Sequence, residues 1–288
     1  MNTPDTSAIR PSCPICATCG TQFAATARLP DACPICEDER QYVGWSGQRW
    51  TTHEALAESH RLRIGDDAGL LAIDIEGGYA IGQRALLLPT AAGNLLWECL
   101  SLVTPDAVAR LRERGGVDRI VISHPHFYAS MVQWSEALDG VPILLNAADR
   151  AWVQRPSPRI EFWQGDSLSL GGGVTLLRSG GHFAGSTVLH WAGGSQGRGA
   201  LFVGDSPQVA SDRRHVGFMY SYPNYMPMAL ADVRAMQARL APFEYEDVYG
   251  YNRGRNIIGG GRRAVDASFV RYLGAFGSTA DASTVSQP

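Results

Sequence analysis

Short hydrophobic runs alternate with polar and glycine-rich stretches along the chain from residue 61 onward. Runs of this length, bounded by Gly, Pro or other turn residues, are typical of β-strands. The predicted strands are HRLRI (60–64), GLLAIDI (69–75), GYAIG (78–82), RALLLP (84–89), NLLWECL (94–100), RIVIS (119–123), PILLN (142–146), RIEFW (159–163), SLSL (167–170), VTLLRS (174–179), STVLHW (186–191) and ALFVGD (200–205).

Helices are predicted where hydrophobic residues recur every three or four positions. The first begins at Thr104 as N-cap, with Pro105 in the first turn, and ends at the glycine pair of residues 115–116. The others are marked by Met131, Trp134 and Leu138, by AADRAWV (147–153), by Leu230, Val233 and Leu240, and by Val265, Phe269 and Leu273.

Many short strands with helices spread among them favour an α/β (α+β) fold in which two sheets pack face to face and helices cover them. We predict three units. Residues 1–50 form a small metal-binding segment and linker, residues 51–275 form the large domain, and residues 276–288 form a tail. Its stretch GSTADASTVSQP (277–288) has no aromatic residue, Leu, Ile or Met and is expected to be disordered.

Five of the six cysteines fall within 24 residues, in CPICATCGTQFAATARLPDACPIC (13–36). Paired CxxC units in a reducing compartment favour a thiolate metal site over disulfides. We predict a zinc-ribbon-like site with the ligands Cys16, Cys19, Cys33 and Cys36, because Gly20 can take the positive φ of a metal knuckle. Cys13 with Cys16 is an alternative pair that spacing leaves open, and iron is the alternative metal.

The composition gives no sign of a nucleic acid or a membrane as the binding partner. The net charge is −3 and the basic residues are all Arg, so no overall basic field indicates a nucleic acid or an anionic membrane. No apolar run is long enough for a membrane span, and the first 30 residues hold cysteines instead of a signal-peptide core. We therefore expect a cytoplasmic protein.

Four polar residues stand at or beside the ends of predicted strands: His124, His126, His182 and Asp205. The motifs HPH, GGHFAGS and the closing GD occur in the order found in the metallo-β-lactamase superfamily, which residues 61–275 resemble. Glu98 stands near the place of an Asp in that family. The resemblance implies a four-layer αββα sandwich, preceded here by the small zinc ribbon, and a metal bound by these histidines.

The chain departs from the family pattern H-x-H-x-D-H, because Tyr128 and Ala129 stand where the second metal's Asp and His are expected. The later family His is replaced in VYGYNRGR, which offers Tyr251 or Asn252. We therefore predict one metal, zinc with iron as the alternative, in a three-histidine site. Asp205 is then a fourth ligand or a base.

The resemblance and the ligand set predict a metal-dependent hydrolase that acts through metal-bound water. Asp205 and Tyr128 are the predicted catalytic residues, and Tyr128, Tyr251 and Asn252 are assigned to substrate binding. We expect a small neutral or partly apolar ester, lactone or thioester as substrate. The first alternative is a catalytically inert binding or regulatory protein with the same fold.

The second alternative is an RNA- or DNA-processing nuclease, since zinc ribbons often touch nucleic acid. The segment CPICATCGTQFAATARLPDACPICEDE carries few Arg and ends in acidic residues, which counts against it. We interpret the cysteine segment as a structural lid or as a contact in a homo-oligomer.

Overall fold

The computed structural model describes residues 12–277. Four short elements make up the first part: β1 (Ile15–Cys16), α1 (Pro34–Glu37), β2 (Trp50–Thr51) and α2 (His53–Ser59). β1 pairs with β2, so the predicted boundary between residues 50 and 51 falls within a strand. Residues 1–11 and most of the predicted tail, 278–288, lie outside the described part of the chain.

The first sheet has seven strands in sequential order, of which the first four are antiparallel and the last three are added in parallel. They are β3 (Leu62–Asp67), β4 (Leu70–Ile75), β5 (Arg84–Thr90), β6 (Gly93–Trp97), β7 (Arg119–Val121), β8 (Ile143–Asn146) and β9 (Ile160–Trp163). The parallel connections carry α3 (Pro105–Glu113), a 3₁₀ turn (Pro125–Phe127), α4 (Met131–Ala137) and a second 3₁₀ turn (Ala147–Trp152).

The second sheet has the order β10-β11-β12-β13-β18-β19, in which only β13 and β18 are parallel neighbours. Its elements in chain order begin with β10 (Ser167–Gly171), β11 (Val174–Arg178), β12 (Thr187–Trp191), the single turn α5 (Gly194–Gly197) and β13 (Ala200–Phe202). The small strands β14 (Gln208–Val209), β15 (Val216–Gly217), β16 (Met219–Ser221) and β17 (Met226–Pro227) follow, and then α6 (Leu230–Leu240), β18 (Asp247–Tyr249), β19 (Asn256–Ile257) and α7 (Gly261–Ala275).

Alternation along the strands builds the layers. On β5, Leu86 and Leu88 point into the core between the two sheets, whereas Leu87 between them points to the opposite face. That opposite face is covered by α3 and α4, and the outer face of the second sheet is covered by α6 and α7. The predicted four-layer αββα sandwich is therefore confirmed.

One predicted strand is wrong, because GYAIG (78–82) is a loop. Gly77, Gly78, Ala80 and Gly82 all have positive φ, which extended strands do not allow. A positive φ at Glu98 likewise ends β6 at Trp97, before the predicted end of NLLWECL. The predicted helices are present, the one at AADRAWV as a 3₁₀ turn.

No helix within residues 12–277 is long and apolar enough to cross a membrane.

Candidate metal centre

The side chains of the candidate centre come from loops that follow strands of both sheets. His124 and His126 follow β7, His182 follows β11, and Asp205 follows β13. Gly204 allows the two sheets' loops to approach, since a Cβ at this position would lie 2.4 Å from Ser123 Oγ and 3.1 Å from His124 Nδ1. The sandwich thus brings together four residues from three segments that are more than twenty positions apart in the sequence.

The four side chains converge on one point. Oδ2 of Asp205 lies 3.4 Å from His124 Nε2, 3.8 Å from His126 Nδ1 and 3.7 Å from His182 Nε2. The last two nitrogens are 3.1 Å apart. Bonds of about 2.0–2.1 Å in a tetrahedral zinc site separate neighbouring ligand atoms by about 3.3–3.4 Å. His124 Nε2 is buried and has no hydrogen-bond partner within residues 12–277, so these four residues fit a single metal.

Neighbouring groups orient three of the four side chains. Nδ1 of His124 lies 2.8 Å from Ser123 Oγ, and Nδ1 of His182 lies 2.7 Å from the carbonyl oxygen of Tyr220. Gln208 Nε2 donates to Asp205 Oδ1 at 2.8 Å, which leaves Oδ2 directed at the histidines. Such outer contacts fix the ring orientation of a metal-binding histidine.

Burial favours the neutral form of His124 and His182. It lowers the pKa of His124 to about 4 and holds the pKa of His182 well below its usual value. Burial alone would raise the pKa of Asp205, but contacts with His124 and His126 hold it well below its usual range. At neutral pH the centre therefore offers the neutral imidazoles of His124 and His182 and the carboxylate of Asp205, protonation states that bind a metal.

A cavity of about 260 Å³ opens onto the centre and includes His126, His182 and Asp205 in its wall. The rest of the wall is largely aromatic, apolar or amide in character, and comprises Arg40, Gln41, Tyr42, Ala80, Ile81, Phe127, Gln208, Tyr222, Pro223 and Tyr251. Tyr251, predicted to bind substrate, thus lines the cavity. Its ring packs against Phe127 at 5.7 Å, and burial raises the pKa of its phenol.

The structure does not bring Tyr128 to this cavity. Its side chain is buried among hydrophobic residues, and its hydroxyl donates to the carbonyl oxygen of Asp149 at 3.3 Å. Asn252 lines a different cavity of about 370 Å³, whose wall includes Gly77, Gly78 and Tyr79 of the loop that joins β4 to β5.

A second cluster is formed by Cys16, Cys19, Cys33 and Cys36, all of them buried. Sγ of Cys16 lies 3.6 Å from Sγ of Cys36, and Cys19 Sγ lies 3.7 Å from Cys33 Sγ. Tetrahedral zinc with bonds of about 2.3 Å separates sulfurs by about 3.8 Å, so these residues fit a metal too. Cys13 lies outside the cluster.

Gly20 has the expected positive φ of 83° beside Cys19. A Cβ at this position would lie 2.4 Å from Ser101 Oγ, so glycine is also required for the close approach to the large domain. Ser101 Oγ donates to the Gly20 carbonyl at 2.7 Å across this contact.

Sequence reasoning missed several polar residues around the centre. Glu98 was noted only by its position. It is fully buried, accepts a hydrogen bond from the Ser123 amide, and has a pKa raised to about 8 by burial. Arg40 and Gln83 contact the backbone of metal-ligand candidates, and Asp149 accepts from the Gly185 amide at 2.8 Å. No local pattern marks these three, because each acts on residues more than thirty positions away.

Comparison with known proteins identifies a relative of this chain along most of its length. No protein-family model matches it. The "Uncharacterized protein YmaE" of Bacillus subtilis (strain 168) is 40% identical to it over 268 residues, which cover 92% of this chain and 97% of YmaE. The chain belongs to the YmaE family. This relationship spans nearly the full length of both proteins.

Solved structures confirm the fold of this YmaE-family protein. VMB-1 superposes with a TM-score of 0.55 at 13% identity, covering 75% of this chain and 98% of that one. The DIM-1 metallo-β-lactamase gives 0.53 at 13% identity, covering 74% and 95%. The metallo-β-lactamase FIM-1 from Pseudomonas aeruginosa, in its mono-zinc form, gives 0.51 at 13% identity, covering 73% and 95%. The protein therefore has the metallo-β-lactamase fold.

Proposed function

We propose that this protein is a metal-dependent hydrolase. A single metal, zinc with iron as the alternative, would be bound by His124, His126, His182 and Asp205, which we call the His/Asp cluster. The observation that carries the proposal is the convergence of His124, His126, His182 and Asp205, with spacings that suit one tetrahedral metal, beside a cavity that the last three of them line. FIM-1, which shares the fold, is described in a mono-zinc form. A divalent metal there would acidify a water molecule and polarise a carbonyl group.

The chain's own residues would bind and orient the substrate around that centre. Tyr251 lines the cavity, and its raised pKa keeps the phenol protonated at neutral pH, so it can donate a hydrogen bond to a carbonyl oxygen. Asp205 is held by Gln208 and takes the part of fourth ligand. We assign Tyr251 the role that the sequence suggested for Tyr128.

The cavity suits a small, neutral or partly apolar substrate of the ester, lactone or thioester class. Phe127, Ile81 and Tyr222 give it an apolar wall. Among residues 12–277 the one Arg in that wall is Arg40, and it is paired with Asp38, with Nη2 at 2.8 Å from Oδ2. A volume of about 260 Å³ admits only a small molecule or one end of a longer one.

One observation favours a second candidate, a metal-binding protein without hydrolytic activity. Asp205 Oδ2 lies at nearly equal distances from the three histidine nitrogens, which closes a tetrahedron of protein ligands. Closed four-ligand shells are typical of structural zinc sites, whereas catalytic sites keep an open position. For hydrolysis the centre must accept a fifth ligand or release Asp205.

A substrate screen separates the two candidates. The zinc-loaded protein is assayed with chromogenic esters, lactones and thioesters beside His182→Ala and a chelator-treated sample. Turnover that depends on zinc and on His182 supports the hydrolase. One zinc bound in each of the two clusters, without turnover of any substrate in the three classes, favours the inert candidate. Cleavage of RNA or DNA by the same preparation would instead favour a nuclease.

A further inference from the structure

A short segment, residues 38–41, connects the cysteine cluster to the His/Asp cluster. It follows α1, which ends one residue after Cys36. Asp38 caps the end of that helix, and Gln41 donates from its amide to the Asp38 carbonyl at 2.9 Å. Any displacement of Cys36 is therefore passed to this segment within a few residues.

Arg40 of the segment contacts the loop that carries His182. Its Nε and Nη2 atoms donate to Asp38 at 2.5 and 2.8 Å, which fixes the plane of the guanidinium group. Its Nη1 atom donates to the carbonyl oxygen of His182 at 3.2 Å. The guanidinium carbon lies 4.0 Å from the ring centroid of Phe183, the next residue.

The same segment holds the group that orients the His182 ring. Nδ1 of His182 bonds to the Tyr220 carbonyl, and the Tyr220 hydroxyl donates to Glu39 Oε1 at 2.7 Å. Asn224 Nδ2 donates to the carbonyl oxygens of Glu39 and Gln41 at 2.9 and 3.0 Å. His182 is thus held through its backbone by Arg40 and through its ring by Tyr220 of β16. Tyr220 is in turn hydrogen-bonded to residues 38–41 through Glu39.

A second contact between the clusters runs through Gln83. Its Nε2 atom donates to the carbonyl oxygens of Cys19 and His126, both at 3.2 Å. Gln83 is buried, with 3% of its surface exposed, so little water competes for these bonds. A residue of the cysteine cluster and a residue of the His/Asp cluster therefore share one side-chain amide.

We propose that the cysteine cluster is a control element of the metal centre, with Arg40 as the positioning residue for His182. The inference rests on the proposed function only in that the His/Asp cluster binds a metal. A metal in the cysteine cluster orders residues 38–41, and Arg40 then holds His182 in the conformation that completes the centre. The two sites are energetically coupled, so metal in either one raises the affinity of the other.

The size of the effect follows from known couplings. Loss of a group that orients a metal ligand commonly lowers metal affinity by about 10–100-fold. Allosteric coupling between two sites typically amounts to about 5–150-fold. We therefore expect Arg40→Ala to weaken zinc binding at the His/Asp cluster by about 10-fold while the cysteine cluster keeps its metal.

Arg155→Ala is the matched control. Arg155 also joins the cysteine segment to the large domain, with Nη1 donating to Gln22 Oε1 at 2.6 Å and Nη2 to Glu136 Oε1 at 2.7 Å. The two arginine side chains are similarly buried, 13% exposed for Arg40 and 18% for Arg155. Arg155 donates no hydrogen bond to a candidate metal ligand within residues 12–277, so it tests for general loosening of the contact.

The experiment is a zinc competition titration of the full chain against a chromophoric chelator, with total zinc counted by elemental analysis. The inference predicts weaker binding at one site in Arg40→Ala, a smaller loss in Arg40→Lys, and no change in Arg155→Ala. Equal affinities in the unchanged chain and both Arg40 variants overturn it, as does an equal loss in Arg155→Ala. If Arg40→Ala does not fold, Arg40→Lys decides, because Lys keeps the charge but cannot hold Asp38 and the His182 carbonyl together.

A reciprocal measurement completes the test. Cys33→Ser should lower the zinc affinity of the His/Asp cluster by a similar factor, and combining it with Arg40→Ala should add little, since both act through residues 38–41. Full additivity of the two losses contradicts the route. If the unchanged chain binds only one zinc, in the cysteine cluster, the proposed hydrolase and this inference both fail. Two zincs with no coupling overturn the inference alone.

Discussion

Oδ2 of Asp205 and Nε2 of His124 lie 3.4 Å apart, although 80 residues lie between them in the chain. His124 follows a strand of the first sheet and Asp205 follows a strand of the second. This is the separation expected of two ligands on one tetrahedral metal, at about 3.3–3.4 Å. The same oxygen lies 3.8 Å from His126 Nδ1 and 3.7 Å from His182 Nε2, a few tenths of an ångström longer. The geometry therefore favours a ligand role over that of a distant base.

The first prediction concerns metal count. His182→Ala should lose one equivalent of zinc per chain, because the two remaining histidines and Asp205 leave the shell incomplete. Elemental analysis of the purified variant measures this. His190→Ala is the control, since His190 is also buried but bonds to the Glu244 carbonyl at 2.8 Å. Two metals about 3.5–4 Å apart in the cluster of the unchanged chain would contradict a single-metal site.

Asp205→Asn separates a ligand from a base. As a ligand, Asp205 contributes the only negative charge in the cluster of four, and its amide replacement should lower both zinc content and any turnover. A base alone would leave the zinc in place and reduce turnover by about 100-fold or more. Zinc content and turnover measured on the same preparation distinguish the two roles.

Tyr251→Phe and Tyr128→Phe form a matched pair, because each removes one hydroxyl. Tyr251 lines the cavity, so its replacement should reduce turnover by about 100–1,000-fold with the zinc retained. Tyr128 donates to Asp149 O in the core, so its replacement should cost about 1 kcal/mol of stability and leave turnover almost unchanged. Steady-state kinetics with thermal unfolding measures both. The opposite ranking of the two turnover losses would return the catalytic role to Tyr128.

Cys33→Ser should release the metal of the cysteine cluster, whereas Cys13→Ser should not. Cys33 is one of the four clustered sulfurs and Cys13 lies outside them. The short elements around the cluster have only a small hydrophobic core, so we also expect loss of the metal to lower the unfolding temperature. Loss of metal from Cys13→Ser at the same level would mean that Cys13 is a ligand, the alternative that spacing leaves open.

Asp149 makes stability depend on pH. Burial raises its pKa to about 6 in the folded chain, while an unfolded Asp titrates near pH 4. Its contribution to the free energy of unfolding is therefore complete below about pH 4 and is lost as the pH rises through 6. Asp149→Asn keeps an oxygen for the Gly185 amide but does not titrate.

The variant should therefore gain stability relative to the unchanged chain between pH 4 and pH 7, on the order of 2–3 kcal/mol. Denaturant unfolding at several pH values measures the difference. A constant difference across this range would mean that the Asp149 carboxyl titrates normally in the folded protein.

The sequence by itself predicted most of the longer strands, the main helices and the histidine and aspartate candidates for the metal centre. Strands of alternating hydrophobicity and helices with caps are set by neighbours in the chain, so a local pattern predicts them. GYAIG shows the limit, because its Tyr and Ile resemble a strand while its glycines and Ala80 take positive φ. Spacing also left Cys13 as an alternative ligand to the end.

Only the tertiary structure decided which side chains face the metal centre. Tyr128 stands two residues after His126, yet it points into the core, whereas Tyr251 comes from the second sheet and lines the cavity. Arg40 reaches His182 across 142 positions. Such contacts depend on how the two sheets and the cysteine segment pack, and packing is settled by the burial of surfaces that are far apart in the chain. A local sequence pattern therefore cannot predict which of these distant residues come into contact.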